Sequence, residues 1–290
     1  MCFYEKMTSG EFVVVVELST PKGVDVTKFL ANANKVRGRV DAVVVSGLEN
    51  GVMRMGVLAG GAMLHDQGLE TIIHICCRDL NRMALQSELL AAHALGLHNL
   101  IVIAGEDMVN GDHKDAKAVD DLDEIGLLGA IKSLQQGVDL TGFTLKGSPN
   151  FYTGCAIEPF ADESEMMGGL ASAGKKIMAG AQYIVTPPVF DVDQFETFLT
   201  AAEDLNVPII APIFLIKSVG AARYIAINQP GSHISEDLID RIRKSADRKI
   251  ECLRIAGEIL AGLKDKVAGV KLVTAGWEDQ VPAVLDIAGL

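Results

Sequence analysis

No hydrophobic run in this 290-residue chain approaches the ~20 residues needed to span a bilayer. The first residues, Met-Cys-Phe-Tyr-Glu-Lys, also lack a basic region followed by an apolar stretch. Both absences lead to the expectation of a cytoplasmic protein with no membrane partner. Clustered Lys and Arg are missing too. The 26 basic residues are scattered among 38 acidic ones, giving a formal charge of −12. A nucleic-acid partner is therefore excluded, because binding phosphates requires a concentrated basic surface. The cysteines, Cys2, Cys76, Cys77, Cys155 and Cys252, are odd in number and show no CxxC spacing, so neither a disulfide framework nor a zinc finger is indicated. Cys76 and Cys77 adjoin an expected strand end and are either small buried hydrophobes or thiols at a site mouth. No GxGxxG follows the first apolar run, which removes the dinucleotide fingerprint of an open doubly wound sheet.

What is present is alternation. Short β-branched runs recur eight times, separated by longer stretches of helical periodicity. The runs are Phe12–Leu18, Asp41–Ser46, Thr71–Cys76, Asn99–Ala104, Phe151–Ile157, Gln182–Pro187, Pro208–Phe214 and Gly269–Thr274. Their near-continuous apolarity suits parallel strands covered on both faces. Helices are expected at Leu80–Leu95 with Asp79 as N-cap, and at Asp121–Leu134, Glu163–Ala179, Asp193–Asp204 and Ser235–Leu263. Eight strands in about 290 residues, with 49% apolar composition, predict an α/β fold: one (β/α)₈ TIM barrel spanning residues 1–290 as a single domain. The polar segment Glu106–Val119 has no apolar period and is expected to lie over one end of the barrel.

In such barrels the variable loops converge only at the C-terminal strand ends, which turns strand assignment into a site prediction. The ends supply Glu17, Ser46, His74, Glu106 with Asp107, and Thr186, and Lys217 with Ser218 follows the seventh strand. Glu17 follows four valines, and desolvation at the edge of an apolar core would raise its pKa toward that of a general acid. The alternative is a carboxylate that caps a loop amide or pairs with a lysine. His74 interrupts Ile72-Ile73-x-Ile75 and either faces the mouth or is a satisfied core imidazole. No second histidine stands at metal-ligand spacing, so no metal is expected. Glu106 and Asp107 either hold a cationic intermediate or modulate a cofactor, or are solvated loop residues.

The motifs together resemble the 5,10-methylenetetrahydrofolate reductase family of flavin-dependent barrels. The likeness runs through Glu17-Leu-Ser-Thr-Pro-Lys-Gly, Arg54-Met55, His74 with Cys-Cys-Arg-Asp-Leu-Asn-Arg82, Ile103-Ala-Gly-Glu106 and Gly111-Asp-His113. It continues through Lys176 with Ala179-Gly-Ala181, Val185-Thr-Pro-Pro-Val-Phe-Asp191, Lys217-Ser218, the Pro230-Gly231 turn and Gly269-Val-Lys-Leu-Val-Thr-Ala-Gly276. The resemblance implies a flavoprotein oxidoreductase of one-carbon metabolism, supplying methionine biosynthesis by reducing 5,10-methylenetetrahydrofolate to 5-methyltetrahydrofolate. It implies FAD or FMN as cofactor, and NAD(P)H or a reduced partner protein as electron donor. The assembly it implies is a homo-oligomer or a complex with an iron–sulfur subunit. Glu17 matches the family's general acid, and Glu106 stands where an Asp tunes flavin and pterin. Ser46, His74, Ala104, Gly105, Asp120 and Lys176 match flavin-lining positions, Lys176 suited by charge to the phosphates. Thr186, Pro187 and Lys217 fall on the folate side. The chain departs from the pattern at Glu106, at Pro187 where a Gln is usual, at Gly47 for Asp, at Asp120 for Tyr and at Lys271 for His. These departures gather on the substrate side, and they motivate a second reading as a divergent barrel subunit of a larger electron-transfer or one-carbon complex, with altered or no folate reduction.

Overall fold

The structure, a computed structural model, describes residues 1–229, 231–232 and 234–290; the Pro230 half of the turn noted above lies outside the described residues. Eight parallel strands close on themselves in sequence order. They are β1 (Val13–Ser19), β2 (Ala42–Ser46), β3 (Thr71–Cys76), β4 (Asn99–Ile103), β5 (Tyr152–Ala156), β6 (Tyr183–Val185), β7 (Ile209–Phe214) and β8 (Gly269–Val273). The closing pair is β8 with β1, in the register Val15 to Lys271 and Glu17 to Val273. The TIM barrel expected from the alternation is thus the observed fold.

The helices cover its outside. Those following expected boundaries are α4 (Arg82–Ala94), α5 (Glu124–Gln135), α6 (Glu163–Ala179) and α7 (Val192–Ala202). The N-cap of α4 is Asn81, whose side chain accepts from the amides of Met83 and Ala84, and not Asp79 as expected. The expected helix Ser235–Leu263 is two, α9 (Glu236–Lys244) and α10 (Arg248–Leu263). The chain breaks between them because Asp247 turns extended and caps the amides of Lys249 and Ile250. Sequence reading did not delimit α1 (Phe3–Ser9), α2 (Thr27–Val36), α3 (Val57–Asp66), α8 (Val219–Asn228) or α11 (Val281–Ile287). Among the described residues no helix is long and apolar enough to cross a membrane.

Two-residue periodicity divides the apolar strands between two cores. Val14, Val16 and Leu18 join the layer between strands and helices. Val13 and Val15 face inward with Ala42, Val44, Ile72 and Ile101. The lower end of that interior is closed by α1, whose Phe3 sits edge-on to Tyr152 and Tyr183 at 5.8 Å each. Gly154 makes this plug possible, since a Cβ there would lie 2.3 Å from the Tyr183 ring. With the bottom sealed by aromatic rings, the open end of the barrel is the C-terminal one.

Candidate functional site

The inward positions that fill the lower barrel with valine become polar at the top of the same strands. Val13 and Val15 are followed on the inner face by Glu17, Ala42 and Val44 by Ser46, Ile72 by His74, and Gly269 by Lys271. These side chains floor a cavity of about 920 Å³ at the mouth, within the range of small-molecule sites.

Glu17 and Lys271 form an ion pair, with Nζ donating to Oε2 at 2.6 Å and side-chain exposures of only 19% and 12%. Burial alone would push the Glu17 carboxyl up, as expected from sequence. The ammonium of Lys271, with a contribution from His74, outweighs that and holds it below the ordinary carboxylate range. Glu17 is therefore a carboxylate at neutral pH in this state, a correction to the raised pKa expected of it. The cause is the lysine on the neighbouring strand.

His74 is likewise partnered. Its Nδ1 stands 3.0 Å from Oε1 of Glu49, while Oε2 of Glu49 accepts from the Gly47 amide at 2.7 Å. Burial works against the Glu49 charge, but His74 and the two backbone contacts prevail and hold its pKa at about 2. The floor thus carries two crossed acid–base pairs.

Arg78 fixes the walls. Buried to 4% exposure, it donates to the carbonyls of Leu48 (2.7 Å), Glu49 (3.1 Å) and Glu106, and to Asp79 (2.8 Å). One guanidinium therefore ties the loop after β2 to the loop after β4, using a planar fork that a lysine lacks. The Glu106 amide reinforces the tie by donating to the Glu49 carbonyl at 2.7 Å. Farther out, Gly111 packs on Gly51 so closely that a Cβ would lie 2.0 Å from the Gly51 oxygen, and Asp112 pairs with Lys22. The segment after β4 packs on the loops that follow β1 and β2, and of residues 106–119 only Glu106 lines the cavity.

Of the residues singled out by sequence, Glu17, Ser46, His74, Ala104, Gly105, Glu106, Thr186 and Pro187 all line the cavity. The exposed Glu106 carboxyl is raised by partial burial and by Glu49. Asp107, Asp120, Lys176, Lys217 and Ser218 do not line the cavity; Asp107 and Ser218 instead cap the turns that follow them, accepting from the Val109 and Ala221 amides. Asp120 is exposed, with a left-handed backbone (φ 45°), its amide directed at the Arg78 carbonyl. Lys217 turns to the Ala275 carbonyl and lies over the Trp277 ring, 5.6 Å from its centre. Lys176, expected at flavin phosphates, is buried in an ion pair with Glu124 at 2.6 Å and donates to the Ala156 carbonyl at 2.9 Å. A helix-borne lysine with a long stem can be drawn into the helix layer whenever a neighbouring helix offers a carboxylate, and α5 does so at its first residue. Cys76 and Cys77 are also outside the lining, their thiols pushed up to about 12 chiefly by burial. Cys77 is packed in the core, while the half-buried Cys76 donates its thiol to the Ala104 carbonyl at 3.4 Å. Sequence reading assigned no role to Glu49, Arg78 or Glu278. Lys271 was legible, because it shares the inward parity of Gly269 and Val273.

A sequence profile described as methylenetetrahydrofolate reductase matches residues 3–289. The chain belongs to that family. Among curated relatives, methylenetetrahydrofolate reductase 2 of Schizosaccharomyces pombe is 22% identical over 241 residues, covering 75% of this chain and 35% of that protein. A probable methylenetetrahydrofolate reductase (NADPH) of Caenorhabditis elegans is 21% identical, covering 79% and 34%. The chain thus spans about a third of the length of these curated relatives. A solved structure from Clostridium thermocellum, described as binding two copies of 5-methyl-5,6,7,8-tetrahydrofolic acid, superposes with a TM-score of 0.64 at 14% identity, covering 99% of this chain and 98% of that one. At that identity the likeness establishes the shared fold. In this methylenetetrahydrofolate reductase-family barrel, Glu17 near the end of β1 is salt-bridged to Lys271 on β8.

Proposed function

We propose that the mouth cavity binds 5,10-methylenetetrahydrofolate and that the chain reduces its methylene bridge to the methyl group of 5-methyltetrahydrofolate. The observation that carries this is the half-buried Glu17–Lys271 pair, set beside His74 on the floor of a cavity large enough for a pterin and a second ring. The Clostridium thermocellum neighbour, described as a folate binder, supports a folate ligand for this barrel.

Opening the bridge requires a proton at the departing nitrogen as the carbon–nitrogen bond breaks with its electron pair going to that nitrogen. The cation left on the carbon needs a negative charge nearby. Lys271 holds a transferable proton at Nζ, and Glu17 supplies the charge. In this reading Glu17 acts as an electrostatic partner and orients the proton donor. Ser46, His74 and the Ala104–Gly105 backbone line one side of the cavity together and fit the ring of a flavin. The contact to its phosphates implied for Lys176 does not fit, because that ammonium is buried against Glu124. A bound flavin would supply the hydride to the carbon. A nicotinamide or a reduced partner protein would be the electron source.

The absorbance spectrum of the purified protein tests this directly. A flavin band bleached by a reduced donor and restored by methylenetetrahydrofolate is expected; a flavin that no folate reoxidises would remove the reductase half. The sequestered Lys176 favours one second reading, a folate-binding barrel acting within a larger electron-transfer or one-carbon complex. Tight folate binding without any flavin in the native protein would select it.

A further inference from the structure

Six carboxylates line the mouth cavity: Glu17, Asp25, Glu49, Glu106, Glu158 and Glu278. Glu17 is paired with Lys271 and Glu49 with His74, while Asp25, Glu106 and Glu158 are exposed to water. Glu278 alone of the six is buried, at 7% exposure, with no cationic partner among the described residues. A carboxylate removed from water without a counter-charge costs several kcal/mol unless donors replace the solvent.

The donors Glu278 has occupy one oxygen. Oε1 accepts from the Thr274 hydroxyl at 2.9 Å and the Gly276 amide at 3.1 Å. Those bonds close a turn in which Ala275 (φ 48°) and Gly276 (φ 96°) are both left-handed, an unfavourable conformation for alanine that persists where surrounding structure enforces it. Oε2 has no hydrogen-bond partner among the described residues, and it is not among the fully enclosed unpaired atoms. The turn therefore anchors one oxygen of a buried carboxylate and leaves the other at the cavity. Across the mouth, β6 offers nothing comparable, since the Thr186 hydroxyl donates to the Pro187 carbonyl at 2.9 Å and Pro187 has no polar side chain.

We infer that Glu278 is the specificity-determining anchor for a heterocycle presenting two adjacent N–H donors, the 2-aminopyrimidinone edge of a pterin. This deepens, and rests on, the folate reading above. With Oε1 taken by Thr274 and Gly276, the two lone pairs of Oε2 accept from a ring N–H and the neighbouring amino group, and such charge-assisted bonds are stronger than neutral ones. The uracil-like edge of a flavin is disfavoured at the same place, because its single N–H is flanked by two carbonyl oxygens that the carboxylate repels.

Equilibrium binding of tetrahydrofolate and its 2-desamino-2-methyl analogue to the full chain tests this. The wild type is expected to prefer tetrahydrofolate by roughly 10- to 100-fold, the range for one charged hydrogen-bonding group. Glu278→Gln keeps an oxygen for Thr274 and Gly276 but loses the charge and should bind the two ligands within about threefold of each other. Should that variant not fold by circular dichroism, Glu278→Asp, which withdraws the carboxylate by one methylene, carries the same expectation. Equal wild-type affinities, or a preference that survives in the variant, would overturn the role of Glu278 and leave the folate reading standing. A wild type that binds neither ligand would overturn both.

Discussion

Replacing Lys271 with methionine keeps the length of the side chain and removes the charge that holds Glu17 ionised. At the observed 2.6 Å separation, the attraction is roughly 6 kcal/mol for an effective dielectric of ~20. Desolvation of both groups offsets part of it, and breaking this half-buried pair costs less than the roughly 3–5 kcal/mol of a fully buried one at pH 7. The pH dependence separates this from a simple packing defect. In the wild type the folded pKa of Glu17 lies below its ordinary 4.5, so its stabilisation is complete above that value and is lost as pH falls through the folded pKa. Without the ammonium, burial dominates and the folded pKa moves above 4.5. The variant's stability from this group is then full below 4.5 and declines as pH rises through the new value. The gap between the two proteins should therefore widen as pH rises from 4 in urea denaturation, and the infrared carboxylic-acid band of Glu17 should persist to higher pH in the variant than in the wild type and vanish in Lys271→Met/Glu17→Gln. A gap that stays constant across that range would refute the assignment of Lys271 as the group that controls Glu17.

Three further outcomes follow from the same geometry. Arg78→Lys should destabilise by about 2–4 kcal/mol, because an ammonium cannot satisfy three carbonyls and Asp79 together, and limited proteolysis should then cut within residues 106–119 before the rest of the barrel. Gly111→Ala should loosen the same segment although its φ is −92°, since the obstacle is the Gly51 oxygen and not backbone strain; an unchanged cleavage rate would count against that packing. Lys176→Met should lose about 3–5 kcal/mol by stranding Glu124, and Lys176→Met/Glu124→Leu should recover most of it, with ligand binding at the mouth unaltered in both when measured on folded protein.

The local pattern of this chain was enough to specify a closed barrel. Eight β-branched runs, each followed by a helical stretch, admit few other arrangements once both faces must be covered by helices. Their two-residue parity also determined which side chain at each strand top would face inward, so Glu17, Ser46 and His74 were legible, and Lys271 was equally so on the same count. Helix ends were less legible where several cap residues compete, as with Asp79 beside Asn81, because only the folded turn decides which side chain reaches the free amides. Likewise, nothing local distinguishes the broken helix at 245–247 from a continuous one until Asp247 is seen to cap.

What tertiary structure alone decided is which charge meets which. Glu17 at the end of an apolar strand reads as a carboxyl with a raised pKa, and it is the register of β1 against β8, joining residues more than 250 positions apart, that brings Lys271 to it and reverses the shift. The same holds for Glu49 with His74, for Lys176 drawn to Glu124, and for Glu278 left without a cation among the described residues. Strand identity follows from side-chain parity along a few residues, whereas a pKa follows from the sum of charges within several ångströms, and those arrive from every strand of the closed sheet.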